Sequence, residues 1–305
     1  MGKAEGISLL PPADGGQRLE FPADVRAYWS EARTLHAEHG IERHRDGQYG
    51  TDLSLGRNPL NLSGAVGPIY GLAAPTPPTD MNKPILQYTD LVKVPVHDNG
   101  EPLLDVKNFL PEVVCEYQKQ DMIPYVGDRF FLRKNVIERL QRAITDLKNE
   151  RPDLRFKLVY TYRHPEIQTR YFEARKKQLQ FSEPHLTENE LRNRAHLLSA
   201  SPDVAGHPTG GAVDITLIDG QGKEVDMGTA IADFSQGKKI ETFCPLIDQQ
   251  TQENRLLLRT ALMKQDFAPF DGEWWHFSYG DREWAKYYKK DCAIYNQIAY
   301  RSLIG

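Results

Sequence analysis

Gly206-His207-Pro208-Thr209-Gly210-Gly211-Ala212-Val213-Asp214-Ile215-Thr216-Leu217-Ile218 is the stretch on which the reading turns. Ala212 to Ile218 has the composition of a buried strand. Asp214 sits inside it among Ala, Val, Ile and Leu. A carboxylate there needs a compensating cation or metal, because burying it alone costs several kcal/mol. His207 precedes it by seven positions, with Pro208, Gly210 and Gly211 between them. Small residues let the backbone turn sharply and come close to a ligand. An Asp paired with a nearby Arg is the plainer alternative.

The next informative stretch is Asp271-Gly272-Glu273-Trp274-Trp275-His276-Phe277. With a strand over Trp274–Tyr279, Trp274, His276 and Ser278 share one face. Glu273 falls at its entrance, just after Gly272. Bulky Trp neighbours lower the local dielectric and raise a carboxyl pKa, which suits a general base near neutral pH. The plainer alternative is an edge strand with an exposed Glu and a packed His. Two His and one Asp form a set suited to zinc, and three protein ligands leave a fourth position for water. Glu273 would then take that water's proton. In Tyr160-Thr161-Tyr162-Arg163-His164-Pro165, Arg163 ends an expected strand before a helix. It stands to stabilise an oxyanion or to grip a substrate carboxylate, or to be an ordinary surface Arg. His164 reads as an incidental loop residue.

Around these motifs the texture is mixed. Phe131–Asn149 reads as an amphipathic helix with Val136, Ile137, Leu140, Ile144 and Leu147 on one stripe. Phe156–Tyr162 has strand composition. Pro165 opens a helix through Leu179. Thr187 and Glu190 have capping-box spacing for a helix towards Leu198. Gln252–Gln265 reads as a further helix. Helices and short strands without a strict βαβ rhythm suggest α+β.

Residues 1–82 are expected to be a Gly/Pro-rich extension packing on a main domain at 83–305. Asn61–Asp80 is crowded with Gly and Pro, and Ala23–Glu38 has helical spacing. The whole chain has 305 residues, enough to bury a core without staples. Its net charge of −4 argues against a surface built for nucleic acid or anionic membrane. Cys115, Cys244 and Cys292 are far apart and odd in number, so no disulfide framework is expected. No export signal and no span of about 18 apolar residues is seen, so a cytoplasmic location is the expectation.

These motifs together resemble the zinc D,D-peptidases of the M15 type, in particular the VanX-like D-alanyl-D-alanine dipeptidase branch. The resemblance rests on His-x6-Asp with Gly and Ala before the Asp, on Glu-Trp-Trp-His, on Asp226-Met227-Gly228-Thr229, on Tyr162-Arg163-x-Pro165 and on Phe131-Leu132-Arg133-Lys134. It covers roughly residues 84–288. It implies one Zn2+ per chain on His207, Asp214 and His276, Glu273 as catalytic base and Arg163 as stabiliser of the transition state. It also implies a small central antiparallel sheet flanked by helices, with zinc in a cleft (Hedgehog/D,D-peptidase-like). The activity implied is hydrolysis of a small D,D-dipeptide. A D,D- or L,D-carboxypeptidase trimming cell-wall peptides is the alternative, and a zinc-binding module without turnover is a third reading. Ala205 stands where the family usually has Ser. Ala232 stands where it has the acid that holds the substrate ammonium, and Asp233 follows. Asp233 and Tyr117 are therefore the candidate substrate-binding residues.

Overall fold

The computed structural model describes residues 84–299. The expected extension at 1–82, with its helix over Ala23–Glu38, lies outside the described residues. In chain order the elements are α1 (Tyr88–Leu91), β1 (Leu103–Asp105), β2 (Val114–Cys115), α2 (Ile123–Val126), β3 (Phe131–Arg133), α3 (Lys134–Glu150) and β4 (Leu154–Tyr160). Then come α4 (Pro165–Ser182), α5 (Glu188–His196), β5 (Ala212–Asp219), α6 (Gln249–Met263), β6 (Ala268–Pro269), β7 (His276–Ser278) and α7 (Arg282–Tyr287). The architecture is α+β. A five-stranded sheet runs β2-β4-β5-β7-β6, and β1 pairs with β3 in a separate ribbon.

The central pairs β4–β5 and β5–β7 and the edge pair β6–β7 are antiparallel, as the family resemblance implied. One edge departs from it: β2 runs parallel to β4. Val113, Val159, Val213, Ile215, Leu217 and Phe277 face the main core with the α3 stripe and with Leu258 and Leu262 of α6. The α3 stripe is the one expected from periodicity: Val136, Ile137, Leu140, Ile144 and Leu147 are all buried. Strand alternation then sends Asp214 and His276 to the other face.

Local chemistry sets the helix starts. Pro165 occupies the first turn of α4, and the His164 ring accepts from Glu166 N at 3.3 Å. His164 is thus a cap rather than an incidental loop residue. Thr187 and Glu190 form the expected capping box on α5. Asp248 accepts from Thr251 N at 2.7 Å, so α6 starts at Gln249, three residues before the expected Gln252.

Two expectations are corrected. Phe131–Arg133 is not the first turn of the helix but a strand with all three residues buried. Its partner, Leu103–Asp105, is distant in sequence and outweighs the local helical pattern. The expected strand over Trp274–Tyr279 is confined to His276–Ser278. Trp274 precedes it and belongs to the main core, so it does not share the face of His276 and Ser278.

Buried arginines frame the loops. Arg255 is fully buried and has backbone carbonyls as its acceptors: Met227 at 2.8 and 2.5 Å, Glu241 at 2.7 Å and Lys239 at 2.8 Å. Burial pulls its pKa down to about 10. These bonds hold the loop between Met227 and Glu241 against α6. Replacing Arg255 with Met leaves those carbonyls without their donors. Denaturant unfolding should show a loss on the order of 3 kcal/mol.

Candidate metal centre

Three elements meet at the site because of one register. Tyr160 of β4 lies opposite Asp214 of β5, which lies opposite His276 of β7. The β4–β5 register shifts between Leu158 and Tyr160. A bulge of this kind bends a strand and re-aims its end. Here the chain leaving β4 brings the Thr161 carbonyl to His207, 2.6 Å from Nδ1.

His207 lies on a short 3-10 turn, His207–Thr209. Gly210 ends that turn at φ +73°, and a Cβ there would lie 2.2 Å from Leu103 Cδ2. At Gly211 a Cβ would lie 2.4 Å from the Tyr279 carbonyl oxygen. Both glycines are therefore required by close approach, as the spacing suggested. The next layer is Arg133, which donates to the Thr209 carbonyl at 2.8 Å while paired with Asp98 at 2.7 Å.

The side chains of His207, Asp214 and His276 converge: one ligand atom from each lies within 4.8 Å of the others, and all three residues are buried. Asp214 Oδ1 is 3.3 Å from His207 Nε2 and 3.0 Å from His276 Nδ1. The carbonyl of Thr161 only accepts, so His207 carries its proton on Nδ1 and turns the Nε2 lone pair inward. His276 offers Nδ1, because its Nε2 is 3.4 Å from Glu283 Oε2. A ligand histidine whose outer nitrogen is held by a carbonyl or carboxylate is the usual outer shell of a metal site. Two imidazoles and a carboxylate suit zinc, so the donor set fits.

The electrostatics agree. Burial alone would raise Asp214, but His207 and His276 hold it well below the usual carboxylate range. Burial lowers His207. It would lower His276 too, yet Asp214 and Glu283 raise that imidazole well above its ordinary value. Glu273 stands at the turn before β7, and His276 N donates to its carbonyl at 3.1 Å. Burial pushes its carboxyl up to about 8, with Asp214 and Glu283 adding and His276 and Arg163 opposing. The turn is held by Arg259, which grips the Asp271 carboxylate with two bonds of 2.9 Å. It is tied to the Met-Gly-Thr loop by Trp274 Nε1, which donates to Thr229 Oγ1 at 2.9 Å.

Arg163 Nη2 lies 3.9 Å from Asp214 Oδ2, so the Arg–Asp pairing weighed from sequence coexists with the histidine contacts. Its Nη1 donates to Gln168 at 2.9 Å, its guanidinium lies over the Tyr160 ring, and its Nε is buried without a partner. Five of the expected site residues, His207, Asp214, His276, Glu273 and Arg163, thus come together.

Tyr117 and Asp233 have partners outside that set. The Tyr117 hydroxyl donates to the Arg129 carbonyl at 2.9 Å, its ring stacks on Phe130, and it meets Tyr160 edge-on. Asp233 caps the 3-10 turn Phe234–Ile240, with its hydrogen bonds going to Ser235 and Gln236. Ala232 before it has φ +56°, a left-handed residue at the position where the family pattern shifts. Sequence reasoning missed Glu283. Gly280-Asp281 is a helix-start signal, and Asp281 does cap α7 through Trp284 N. That turn folds Glu283 back onto β7.

The family model described as D-Ala-D-Ala dipeptidase matches residues 116–294. The chain is 31% identical over 238 residues to a D-alanyl-D-alanine dipeptidase of Synechocystis sp., covering 68% of this chain and 93% of that protein. It is 33% identical over 73 residues to the Escherichia coli D-alanyl-D-alanine dipeptidase, covering 24% and 37%. Among solved structures it is similar to the LdcB LD-carboxypeptidase, at 16% identity and a TM-score of 0.35 over 63% of this chain and 76% of that one. It is similar also to VanYB in complex with D-alanine-D-alanine, at 15% identity and a TM-score of 0.33 over 55% and 83%. With more than half its length matched by the family model and a relative that aligns over two thirds of it, the chain belongs to the M15 peptidases, the D-Ala-D-Ala dipeptidase family.

Proposed function

We propose that this chain is a zinc-dependent dipeptidase that hydrolyses D-alanyl-D-alanine to two molecules of D-alanine. One zinc ion per chain would be held by His207 Nε2, Asp214 and His276 Nδ1. The observation that carries this reading is the buried His–Asp–His group with Glu273 beside it. When bound, zinc polarises the scissile carbonyl and lowers the pKa of water to about 7.

The chain's own residues do the rest. Glu273 takes a proton from the attacking water and returns it to the leaving amine. The new bond joins the water oxygen to the carbonyl carbon, and the bond that breaks is the peptide C–N. A carboxyl raised by burial is suited to both proton transfers near neutral pH. Arg163 brings a guanidinium with a spare Nε to the oxyanion. Thr161 and Glu283 keep the two imidazoles oriented. Asp233 is the proposed acceptor for the substrate ammonium and would exchange its bonds to Ser235 and Gln236 for it. Tyr117 contributes ring surface, since its hydroxyl is already used.

A second reading, a carboxypeptidase acting on longer peptides, draws on Ala232. The ammonium anchor is displaced by one residue and engaged in its own turn. Hydrolysis of D-Ala-D-Ala but not of its N-acetylated form favours the dipeptidase, and the reverse favours the carboxypeptidase.

Glu273→Gln should lower D-Ala-D-Ala turnover by about 100- to 10,000-fold. Its zinc content should remain that of the wild type, as metal analysis would show. Glu283→Ala removes the group that orients His276. It should weaken zinc binding by about 10- to 100-fold in a chelator competition. Zinc affinity should rise with pH. In the metal-free chain Asp214 and Glu283 favour the protonated His276, and that proton must leave before Nδ1 can ligate. Uptake should therefore release protons, and calorimetry in buffers of different ionisation enthalpy measures this directly.

A further inference from the structure

Arg163 faces two demands that pull against each other. Its guanidinium has to stay fixed beside the His–Asp–His group, and its N–H donors have to be left for an oxyanion. The backbone is fixed, because Arg163 N donates to the His207 carbonyl at 3.2 Å. The side chain is long and rich in rotamers, so the guanidinium needs partners of its own. Gln168 is one. It is fully buried, its Oε1 takes Nη1 at 2.9 Å, and its Nε2 donates to the Ala200 carbonyl at 2.7 Å. That occupies one nitrogen.

Aromatic faces hold the cation without occupying another. The guanidinium carbon lies 4.3 Å from the centroid of the Tyr160 ring and 5.4 Å from that of Tyr171. A ring face attracts a guanidinium through its quadrupole and asks for no N–H bond. A carboxylate in the same place would take those donors and neutralise the charge. Here Nη2 stays 3.9 Å from Asp214 Oδ2, and Nε is buried without a partner.

The two rings are in turn held by one carboxylate. Asp121 accepts from the Tyr160 hydroxyl on Oδ1 at 3.0 Å and from the Tyr171 hydroxyl on Oδ2. Tyr160 ends β4, Tyr171 lies on α4, and Asp121 belongs to the 3-10 turn Gln120–Met122. Met122 of that turn packs with Tyr160 in a second apolar cluster. Three elements therefore fix one aromatic surface. A phenol that donates to a carboxylate gains electron density in its ring, so these bonds also strengthen its hold on a cation.

We infer that Tyr160 and Tyr171, tethered to Asp121, are positioning residues that aim the Arg163 guanidinium at the oxyanion. The inference rests on the proposed dipeptidase reading.

The test is steady-state kinetics with D-Ala-D-Ala on the zinc-loaded full chain, with and without Arg163. Arg163→Ala should lower kcat by about 100- to 1,000-fold. Tyr160→Leu should lower kcat by about 10- to 100-fold with KM little changed, because the misplaced group acts in the transition state. Tyr160→Phe keeps the ring face and should retain most of the activity. Tyr171→Leu removes a half-buried ring that lies farther away, and should give a smaller loss of the same kind. It carries the test if Tyr160→Leu does not fold. In the Arg163→Ala background each of these three changes should cost no more than about 2-fold. The Nε–H resonance of Arg163, identified by its absence in Arg163→Ala, should move in Tyr160→Leu and stay near its place in Tyr160→Phe, without zinc or turnover. Equal losses with and without Arg163, a loss carried by KM, or an unmoved resonance would overturn the assignment and leave the dipeptidase reading intact. So would a zinc affinity that falls in step with kcat, since Tyr160 also meets His207 edge-on at 5.6 Å. A wild type that does not cleave the dipeptide would overturn the dipeptidase reading and this inference with it.

Discussion

The structure depends on one buried carboxylate. Asp214 interrupts a strand that is buried throughout from Ala212 to Ile218 and otherwise apolar there but for Thr216. Left alone there, it would cost several kcal/mol. Two imidazoles within 3.3 Å of Oδ1 offset that cost, and a dication would offset it further. Each imidazole must in turn be held by its far nitrogen. The Thr161 carbonyl does this for His207, and the Glu283 carboxylate for His276. The requirement passes outward to the bulge after Leu158 and to the turn that starts α7.

Framing falls to buried arginines rather than to apolar packing alone. Arg133 bonds the Thr209, Glu101 and Asn296 carbonyls together with Asp98, so the segment after His207 is fixed to the β1–β3 ribbon and to the C-terminal stretch. Arg259 holds the turn that carries Glu273 through Asp271. Arg255 holds the Met-Gly-Thr loop. Loops rich in carbonyls without regular partners need donors. A guanidinium supplies five in a rigid fork. The same loops place Thr229 under Trp274, which couples two motifs 45 residues apart.

Charge is graded across the site. At its centre a histidine pair and one carboxylate suit a dication. On one side Glu273, desolvated, is set for proton transfer. Arg163, over the Tyr160 ring, brings a guanidinium to within 3.9 Å of the central Asp214 carboxylate.

Much of the centre was legible in the sequence, for definite reasons. His207, Asp214 and His276 could be joined because the strand period and the glycines between His207 and Asp214 restrict where those side chains point. Glu273 could be added because it adjoins the same strand. Helix starts at Pro165 and Glu188 followed from local capping chemistry, which needs no distant partner. Other features were decided only in three dimensions. Phe131–Arg133 became a strand because Leu103–Asp105 pairs with it, and local periodicity is blind to that partner. Thr161 and Glu283 join the site through a bulge and a turn whose relative placement is set by packing. Residue types and spacing thus specified the reacting groups. Tertiary structure chose the groups that orient them and the charge that surrounds them, because hydrogen bonds and fields act across space and not along the chain.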